Sequence, residues 1–346
     1  MKGRKHLWGI LYGTALTAFT VYFLLDTFVL ARVYSHAPSD SNVRYGNSAD
    51  SDTDNSSISD SNVNKSDISD FNIDNSDASD SKTDNSGITG SNTQRGDISG
   101  SEIIINENTY SDEHISVTIK EYREFDTSIN VADVSLSSAE YLKTALAQGA
   151  YGKNVTEKTS EIAESNHAIL AINGDYYGAR EKGYVLRNGV IYRSTASANQ
   201  EDLVIYEEGS FSVITEGEVS AEELLSGGAR QILSFGPALV TDGKISVTED
   251  AEVGKAKASN PRTAIGIVND LHYLFVVSDG RTEESAGLTL YELAEVLQAL
   301  GAAIAYNLDG GGSSTMYFNG EVVNHPTTSG RSIKERSVSD IVYIGY

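Results

Sequence analysis

The residues of this sequence best suited to chemistry are 307–316, which read Asn-Leu-Asp-Gly-Gly-Gly-Ser-Ser-Thr-Met. The apolar run 302–306 before them predicts a buried strand, and alternation would place Asn307 and Asp309 on the same side at its end. An acidic group beside glycine-lined N–H donors fits a phosphorylated sugar, whereas the alternative is a glycine-rich turn between strands. The glycines, whose backbone can approach a ligand closely, and the hydroxyls after them are Gly310, Gly311, Gly312, Ser313, Ser314 and Thr315.

Other polar clusters stand at predicted strand ends, where a rigid sheet commonly carries functional side chains. Asn-Gly and Asp-Gly are also ordinary hairpin signals, so each cluster has a turn as its alternative. His325 is expected to be a loop residue without a partner, and Arg281 has a surface ion pair with a nearby glutamate as its alternative. Tyr176 and Tyr177 predict a sugar-stacking wall beside Asp175. The clusters are Asn173-Gly174-Asp175, Asn260-Pro261-Arg262, Asp279-Gly280-Arg281, Asn324-His325-Pro326 and Glu335-Arg336.

The elements that position these clusters begin after Ser101, where strand and helix patterns start. A short helix is expected over 157–165, and Thr289 with Glu292 forms a capping-box pattern for a second helix that Gly301 ends. The sequence therefore predicts an α+β fold, a mixed and strand-rich single catalytic domain with a few helices over residues 102–346. The predicted strands are 115–122, 128–135, 168–172, 185–193, 203–207, 211–215, 263–268, 272–278 and 339–345.

The N-terminal residues predict a membrane anchor. Residues 1–6 form a basic tail, and residues 7–31 are long enough for a span of ~20 apolar residues. The basic residues before the span predict a cytoplasmic N-terminus, hence a single-pass protein of the cell membrane with an extracytoplasmic catalytic domain. The alternative is a cleaved signal peptide, whose apolar region would be shorter, at ~7–15 residues.

Residues 35–101 are expected to be a disordered linker between the anchor and the domain. From Ser51 the sequence runs in blocks of ten rich in Ser, Asp and Asn, each with only one or two apolar side chains. Low hydropathy with excess negative charge does not offset the entropy cost of ordering a chain. The alternative is a calcium-responsive or glycosylated stalk.

The composition excludes several functions. The 346 residues carry a net charge of −23, which disfavours nucleic acid as a partner because phosphates attract basic surfaces. The chain has no cysteine, so disulfides, thiolate metal sites and thiol nucleophiles are excluded.

Taken together, the motifs resemble those of the phosphodiester glycosidase family, whose bacterial members are often linked to exopolysaccharide biosynthesis. The resemblance covers about residues 115–346 and is most specific toward the C-terminus. It implies hydrolysis of a sugar-1-phosphodiester between the anomeric carbon and the phosphate oxygen, in an N-acetylglucosamine-like unit of a cell-envelope glycan or exopolysaccharide. The resemblance rests on Asn260-Pro261-Arg262-Thr263, Asp279-Gly280-Arg281, Gly287-Leu288-Thr289-Leu290, residues 307–316 and Glu335-Arg336. It places at the active site Asn173, Arg262, Asp279, Arg281, Asn307, Asp309 and Arg336.

These residue types fit that chemistry. A phosphodiester is already a good leaving group, so stabilising its growing charge matters most, and the fork of Arg262 or Arg281 suits that role. One carboxylate acts as base or nucleophile, for which we choose Asp309, with Asp279 as the second carboxylate or as a group that holds an arginine. The expected substrate-binding residues are Asn173, Asp175, Asn307, Gly310, Gly311, Gly312, Ser313, Ser314, Thr315 and Arg336.

Three alternatives stay open at this point. No cofactor is required, but Asp175, Asn307 and Asp309 are oxygen ligands of the kind that Ca²⁺ or Mg²⁺ takes. A metal-dependent phosphodiesterase would need a His- and Asp-rich metal cluster, and the six histidines are scattered along the chain. A glycan-binding module for exopolysaccharide assembly would keep the tyrosines but would tolerate the loss of Asp309.

Overall fold

The computed structural model describes residues 3–38, 103–251 and 259–346. The helices of these ranges are α1 (Gly3–Phe28), α2 (Thr159–Ser165), α3 (Ala221–Ser226) and α4 (Leu290–Ala299). The strands are β1 (Arg32–His36), β2 (Ile104–Asn106), β3 (Thr109–Ser111), β4 (Ile115–Glu124), β5 (Thr127–Leu136), β6 (Leu142–Leu146), β7 (Ala150–Lys153), β8 (Leu170–Asn173), β9 (Val185–Arg187), β10 (Val190–Arg193), β11 (Glu201–Tyr206), β12 (Phe211–Thr215), β13 (Ala229–Leu233), β14 (Ala238–Thr241), β15 (Lys244–Ile245), β16 (Arg262–Asn269), β17 (His272–Ser278), β18 (Ile304–Asn307), β19 (Met316–Phe318), β20 (Glu321–Val322) and β21 (Asp340–Ile344).

The strands pair antiparallel in sheets of different size. A nine-stranded sheet has the order β15-β14-β18-β16-β17-β5-β4-β3-β2. Two five-stranded sheets have the orders β20-β19-β8-β21-β6 and β10-β9-β13-β11-β12, and β1 pairs with β7 alone. The fold is therefore strand-rich with a few helices, as the sequence predicts.

The central strands of the nine-stranded sheet are buried on both faces, and their apolar side chains alternate between the two faces. On one face, Tyr273 and Phe275 join a core cluster that also contains residues of both five-stranded sheets. On the other face, Leu274 and Val276 pack with the leucines of α4. Helices α2 and α3 contribute to two smaller clusters, each with one of the five-stranded sheets. The resulting layers hold the ends of β8, β16, β17 and β18 in fixed positions.

The transmembrane anchor predicted over residues 7–31 is not supported. Residues 3–28 are helical as α1, but in the ranges that the structure describes no helix is both long and apolar enough to cross a membrane. Strand β1 follows and pairs with β7, and the Ala37 N–H donates to Gly149 O at 2.8 Å. Ser35 and His36, which the sequence assigned to the linker, therefore belong to a strand. Residues 39–101 of that predicted linker lie outside the described residues.

Candidate active site

The site forms at one end of three neighbouring strands of the nine-stranded sheet, β18, β16 and β17. Arg262 begins β16 and pairs with Ser278, the last residue of β17, so that Asp279 follows at the same end of the sheet. Asn307 ends β18 and pairs with Ala264 of β16. Because β16 runs antiparallel to both neighbours, its first residues lie beside their last ones. The sheet thus brings together side chains that are far apart in sequence.

A glycine loop, defined here as residues 308–315, leads from β18 in the nine-stranded sheet to β19 in a five-stranded sheet. The Gly311 N–H donates to Pro261 O at 2.8 Å. A β-carbon on Gly310 would lie 2.9 Å from Pro261 O, and Gly311 has a φ of +64°. The loop therefore packs too closely on Pro261 for a side chain at position 310, and its path favours glycine at position 311.

Asn173 holds the glycine loop in place. Its Nδ2 donates to Asp309 O at 2.6 Å, and its Oδ1 accepts from Thr263 Oγ1 at 2.8 Å and from the Thr315 N–H at 3.2 Å. The side chain is fully buried. Because both ends of the amide are engaged by protein atoms, the structure gives Asn173 a positioning role where the sequence suggested contact with substrate.

Asp309 lies at the start of the loop and is bound by Ser313 and Arg336. Its Oδ2 accepts from Ser313 Oγ at 2.7 Å and from Arg336 Nη2 at 3.0 Å. Arg336 Nε also donates to Ser313 Oγ at 2.9 Å. Burial raises the pKa of the Asp309 carboxyl, although Arg336 and Ser313 oppose the rise. A carboxylate with a raised pKa is a better base than a solvated one, which suits a role in proton transfer or attack.

Three arginines approach the glycine loop. Arg336 Nη2 donates to Gly310 O at 3.1 Å. A β-carbon on Gly310 would lie 3.9 Å from Arg262 Cδ, and one on Gly311 would lie 2.9 Å from Arg281 Nη2. The guanidinium groups of Arg336 and Arg281 therefore lie at one short stretch of backbone, whereas Arg262 approaches it with Cδ and donates its Nε to Leu288 O at 2.9 Å.

The arginines repel one another. Burial first and the charge of Arg281 second lower the pKa of Arg262 to about 10, and burial together with Arg336 lowers the pKa of Arg281. Arg281 is held by neutral groups, since Nη2 donates to Asn260 Oδ1 at 2.8 Å and Nη1 to Thr328 O at 2.5 Å. No carboxylate pairs with Arg281 anywhere in the described ranges. The loop is thus a place where a bound anion would relieve unfavourable charge.

The ion-pair partner of Asp279 is a histidine. Its Oδ2 lies 3.1 Å from His325 Nδ1, and its Oδ1 accepts from the His325 N–H at 2.8 Å and from Asn324 Nδ2 at 3.1 Å. The expectation that His325 has no partner is therefore wrong. The two residues are 46 positions apart in sequence, and only the placement of Asn-His-Pro shortly before Glu335-Arg336 hinted at a shared site.

The structure places Asp175 in a separate, buried ion-pair network. Its Oδ2 accepts from Arg187 Nη2 at 2.7 Å, and Arg187 Nε donates to Asp340 Oδ2 at 2.8 Å. Burial by itself lowers the pKa of Arg187, but the two carboxylates reverse this and raise it. Tyr177 is buried against Arg187, whereas Tyr176 is 46% exposed. We therefore withdraw Asp175 from the substrate and metal ligands and Tyr177 from the predicted sugar-stacking wall.

Four more residues of the predicted site are buried in or next to the loop. Asn307 Nδ2 donates to Gly236 O at 2.8 Å, while its Oδ1 finds no partner within the described ranges. The same holds for the hydroxyls of Ser314 and Thr315, which are also fully buried. Gly312 contributes its carbonyl, which accepts from the Arg336 N–H at 3.1 Å. These buried residues support the loop on its inner side, while the exposed Arg336 and Arg281 form its outer side.

Two of the three oxygen ligands considered for a metal are bound by arginines. Asp175 is engaged by Arg187 and Asp309 by Arg336. Across the part of the chain that the structure describes, no three His, Asp or Glu side chains form a group that could hold a metal ion.

The loop, the arginines and the strands that carry them all lie in a region with known relatives. Residues 166–345 match the family model described as phosphodiester glycosidase. The chain belongs to the phosphodiester glycosidase family. The family assignment predicted from the motifs is thereby confirmed, and the curated mammalian members that the chain resembles are hydrolases by name.

The curated sequence relatives of the chain are distant. N-acetylglucosamine-1-phosphodiester alpha-N-acetylglucosaminidase is 32% identical over 184 residues in Homo sapiens (48% of this chain, 35% of the relative) and 30% identical over 159 residues in Mus musculus (42% and 30%). The SPbeta prophage-derived uncharacterized protein YomE of Bacillus subtilis (strain 168) is 30% identical over 203 residues (57% and 31%). The chain thus spans about a third of the length of these curated relatives.

A solved structure of the family has the same fold. The catalytic domain of zebrafish N-acetylglucosamine-1-phosphodiester alpha-N-acetylglucosaminidase, auto-inhibited by its pro-peptide, superposes with a TM-score of 0.54. The match covers 67% of this chain and 83% of the zebrafish chain at 19% identity. At that identity the likeness establishes the shared strand-rich architecture.

Proposed function

We propose that this protein hydrolyses a sugar-1-phosphodiester at the bond between the anomeric carbon and the phosphate oxygen. The observation that supports this most is Arg281, a guanidinium that touches the glycine loop, is repelled by Arg336 and has no carboxylate partner in the described ranges. Such a group favours an anionic ligand that accepts charge-assisted hydrogen bonds. The names of the mammalian relatives suggest N-acetylglucosamine as the sugar.

The site suits this bond because the leaving phosphate gains a negative charge as the bond breaks. A phosphodiester carries one negative charge, and the departing phosphomonoester carries a second one before it takes up a proton. Guanidinium groups and loop N–H groups that are already in place stabilise such charge without reorganisation. Asp309 lies on the same loop and is the carboxylate that we assign as base or nucleophile.

We propose glycans of the cell envelope or an exopolysaccharide as the source of the substrate. Such glycans lie outside the cytoplasm, so the proposal includes an extracytoplasmic location for the domain. Cell fractionation with a protease-accessibility assay would test that location directly. Finding the domain on the cytoplasmic side would remove envelope glycans from the proposal.

The test is hydrolysis of an α-N-acetylglucosamine-1-phosphate methyl diester by the full chain in ¹⁸O water, with the products weighed by mass spectrometry. Label in the free sugar is the expected result. Label in the phosphate would show cleavage of the P–O bond and refute the proposal. Binding without turnover of this and other sugar-1-phosphodiesters would favour a glycan-binding module. The Asp309→Asn variant serves as the inactive control.

A further inference from the structure

We infer that His325 is the base that removes a proton from the attacking water, and that Asp279 orients it. This inference rests on the proposed function. It assigns a catalytic residue that the motif resemblance does not include, and it changes the role of Asp279 from a second catalytic carboxylate to a positioning residue.

The contacts fix the imidazole in one orientation. Asp279 Oδ2 lies 3.1 Å from His325 Nδ1, and Asp279 Oδ1 accepts from the backbone N–H of the same histidine at 2.8 Å. A buried carboxylate accepts only, so Nδ1 carries the proton, and in a neutral imidazole Nε2 is then the acceptor. Within the described ranges Nε2 makes no hydrogen bond, and the side chain is 72% exposed. The acceptor nitrogen is therefore accessible to a water molecule.

The pair is fixed to the glycine loop through Asn324. Asn324 Nδ2 donates both to Asp279 Oδ1 at 3.1 Å and to Ser314 O at 3.0 Å, and its Oδ1 accepts from the Met316 N–H at 2.8 Å. Asp279 also stands two residues before Arg281 on the same turn. The histidine thus belongs to the same rigid assembly as the loop and its arginines.

The charged groups around the imidazole lie on two segments, the turn after β17 and the loop that follows His325. Asp279 and Arg281 lie on the turn after β17, and Arg281 Nη1 donates to Thr328 O just beyond the histidine. Arg331 and Lys334 lie on the loop that follows, where the Lys334 N–H donates to Pro326 O at 2.7 Å. Asp279 is in direct contact with the imidazole, so a carboxylate lies beside the group that takes up the proton.

The reaction balances with this assignment. The bond from the anomeric carbon to the phosphate oxygen breaks, its electron pair leaves with the phosphomonoester, and water oxygen bonds to the anomeric carbon. One proton of the water passes to Nε2 and then to solvent or phosphate. The leaving phosphate needs no acid, so the proton of the water is the one that requires a base. With His325 as the base, Asp309 takes the nucleophile role of the two proposed above. The bond that Asp309 forms to the anomeric carbon as the phosphate leaves then breaks when water attacks, and its electron pair returns to the carboxylate.

The experiment compares His325→Gln with His272→Gln in the full chain. His272 provides a matched control because its Nε2 lies 3.0 Å from Asp133 Oδ1, so it too is an Asp–His pair, but it sits at the opposite end of β17 from Asp279. Both variants are assayed with the α-N-acetylglucosamine-1-phosphate methyl diester across pH. We expect His325→Gln to lower kcat about 10²- to 10⁴-fold, to leave KM within about threefold and to alter the acid limb of the kcat profile. His272→Gln should change none of these.

Two results would overturn the inference in different ways. Wild-type turnover together with a His325→Gln variant that keeps kcat within about threefold and the same pH profile would remove the histidine from the mechanism while the proposed function stands. A wild-type chain that turns over no sugar-1-phosphodiester would overturn the function and the base together. Asp279→Asn adds a further check. Its kcat, measured well below the melting temperature of the variant, should still be lower than that of the wild type.

Discussion

Replacing Gly311 by alanine should reduce stability through backbone strain and, separately, reduce activity by displacing Arg281. Gly311 has a φ of +64°, where an alanine costs about 1–2 kcal/mol. The new β-carbon would also lie 2.9 Å from Arg281 Nη2, so the guanidinium has to move or the loop has to shift. If Arg281 makes a charge-assisted hydrogen bond to the reacting phosphate, losing it costs about 1.5–3 kcal/mol. This corresponds to a fall in kcat/KM of about 10- to 150-fold.

Gly320→Ala separates the two effects. Gly320 has a φ of +96°, but a β-carbon there has no heavy atom within 4 Å beyond its chain neighbours. It therefore carries the backbone strain without the contact to Arg281. The measurements are kcat/KM with the sugar-1-phosphodiester and the free energy of unfolding in urea. Equal losses of kcat/KM in the two variants would refute the placement of Arg281 at the substrate phosphate.

Three further substitutions test individual groups. Asp309→Asn should abolish turnover with little change in melting temperature, because burial disfavours the charged form of this carboxyl and the amide keeps its shape; an active variant would contradict its role. Asp175→Asn should lower the free energy of unfolding by about 1.5–3 kcal/mol because it removes one charged acceptor of Arg187 and leaves the ion pair with Asp340, and an unchanged free energy of unfolding in urea would contradict this. Burial raises the pKa of Asp202 to about 10, so the folded state holds a proton that the unfolded state releases. The free energy of unfolding should therefore fall by up to about 1.4 kcal/mol per pH unit as pH rises from about 5 to 9. Asp202→Asn should flatten that fall in urea titrations, and an unchanged slope would refute it.

Much of the fold follows from local patterns in the sequence. The capping box at Thr289 and Glu292 is formed as predicted, with the Glu292 carboxylate accepting from the Thr289 N–H at 2.7 Å. The predicted strand 185–193 is instead a hairpin of β9 and β10, because Asn188 and Gly189 both adopt positive φ at the turn. Helix α3 was missed although Ser220 and Glu223 form the same capping box. Its six residues contain too few turns to show an apolar period.

The candidate site was harder to predict because residue type does not reveal a partner. Asn-Gly-Asp at 173–175 looked like a ligand cluster, but Asp175 pairs with Arg187, and nothing near Asp175 in the sequence signals this pairing. His325 looked isolated because Asp279, its partner, lies on another strand end. In both cases the packing of separate sheets and loops against one another, and not the local motif, decides which groups meet.

The partners also separate positioning groups from reactive ones. The side-chain polar atoms of Asn173 and Asp175 form hydrogen bonds with buried protein atoms and are not directed to a ligand. Asp309 and Asp279 are buried as well, but each binds a group that reaches solvent, Arg336 at 41% exposure and His325 at 72%. A buried carboxylate that binds an exposed cation or imidazole holds that group in a fixed position where a substrate can contact it. On this argument the reactive surface is the outer side of the glycine loop, where water and an anionic sugar both have access.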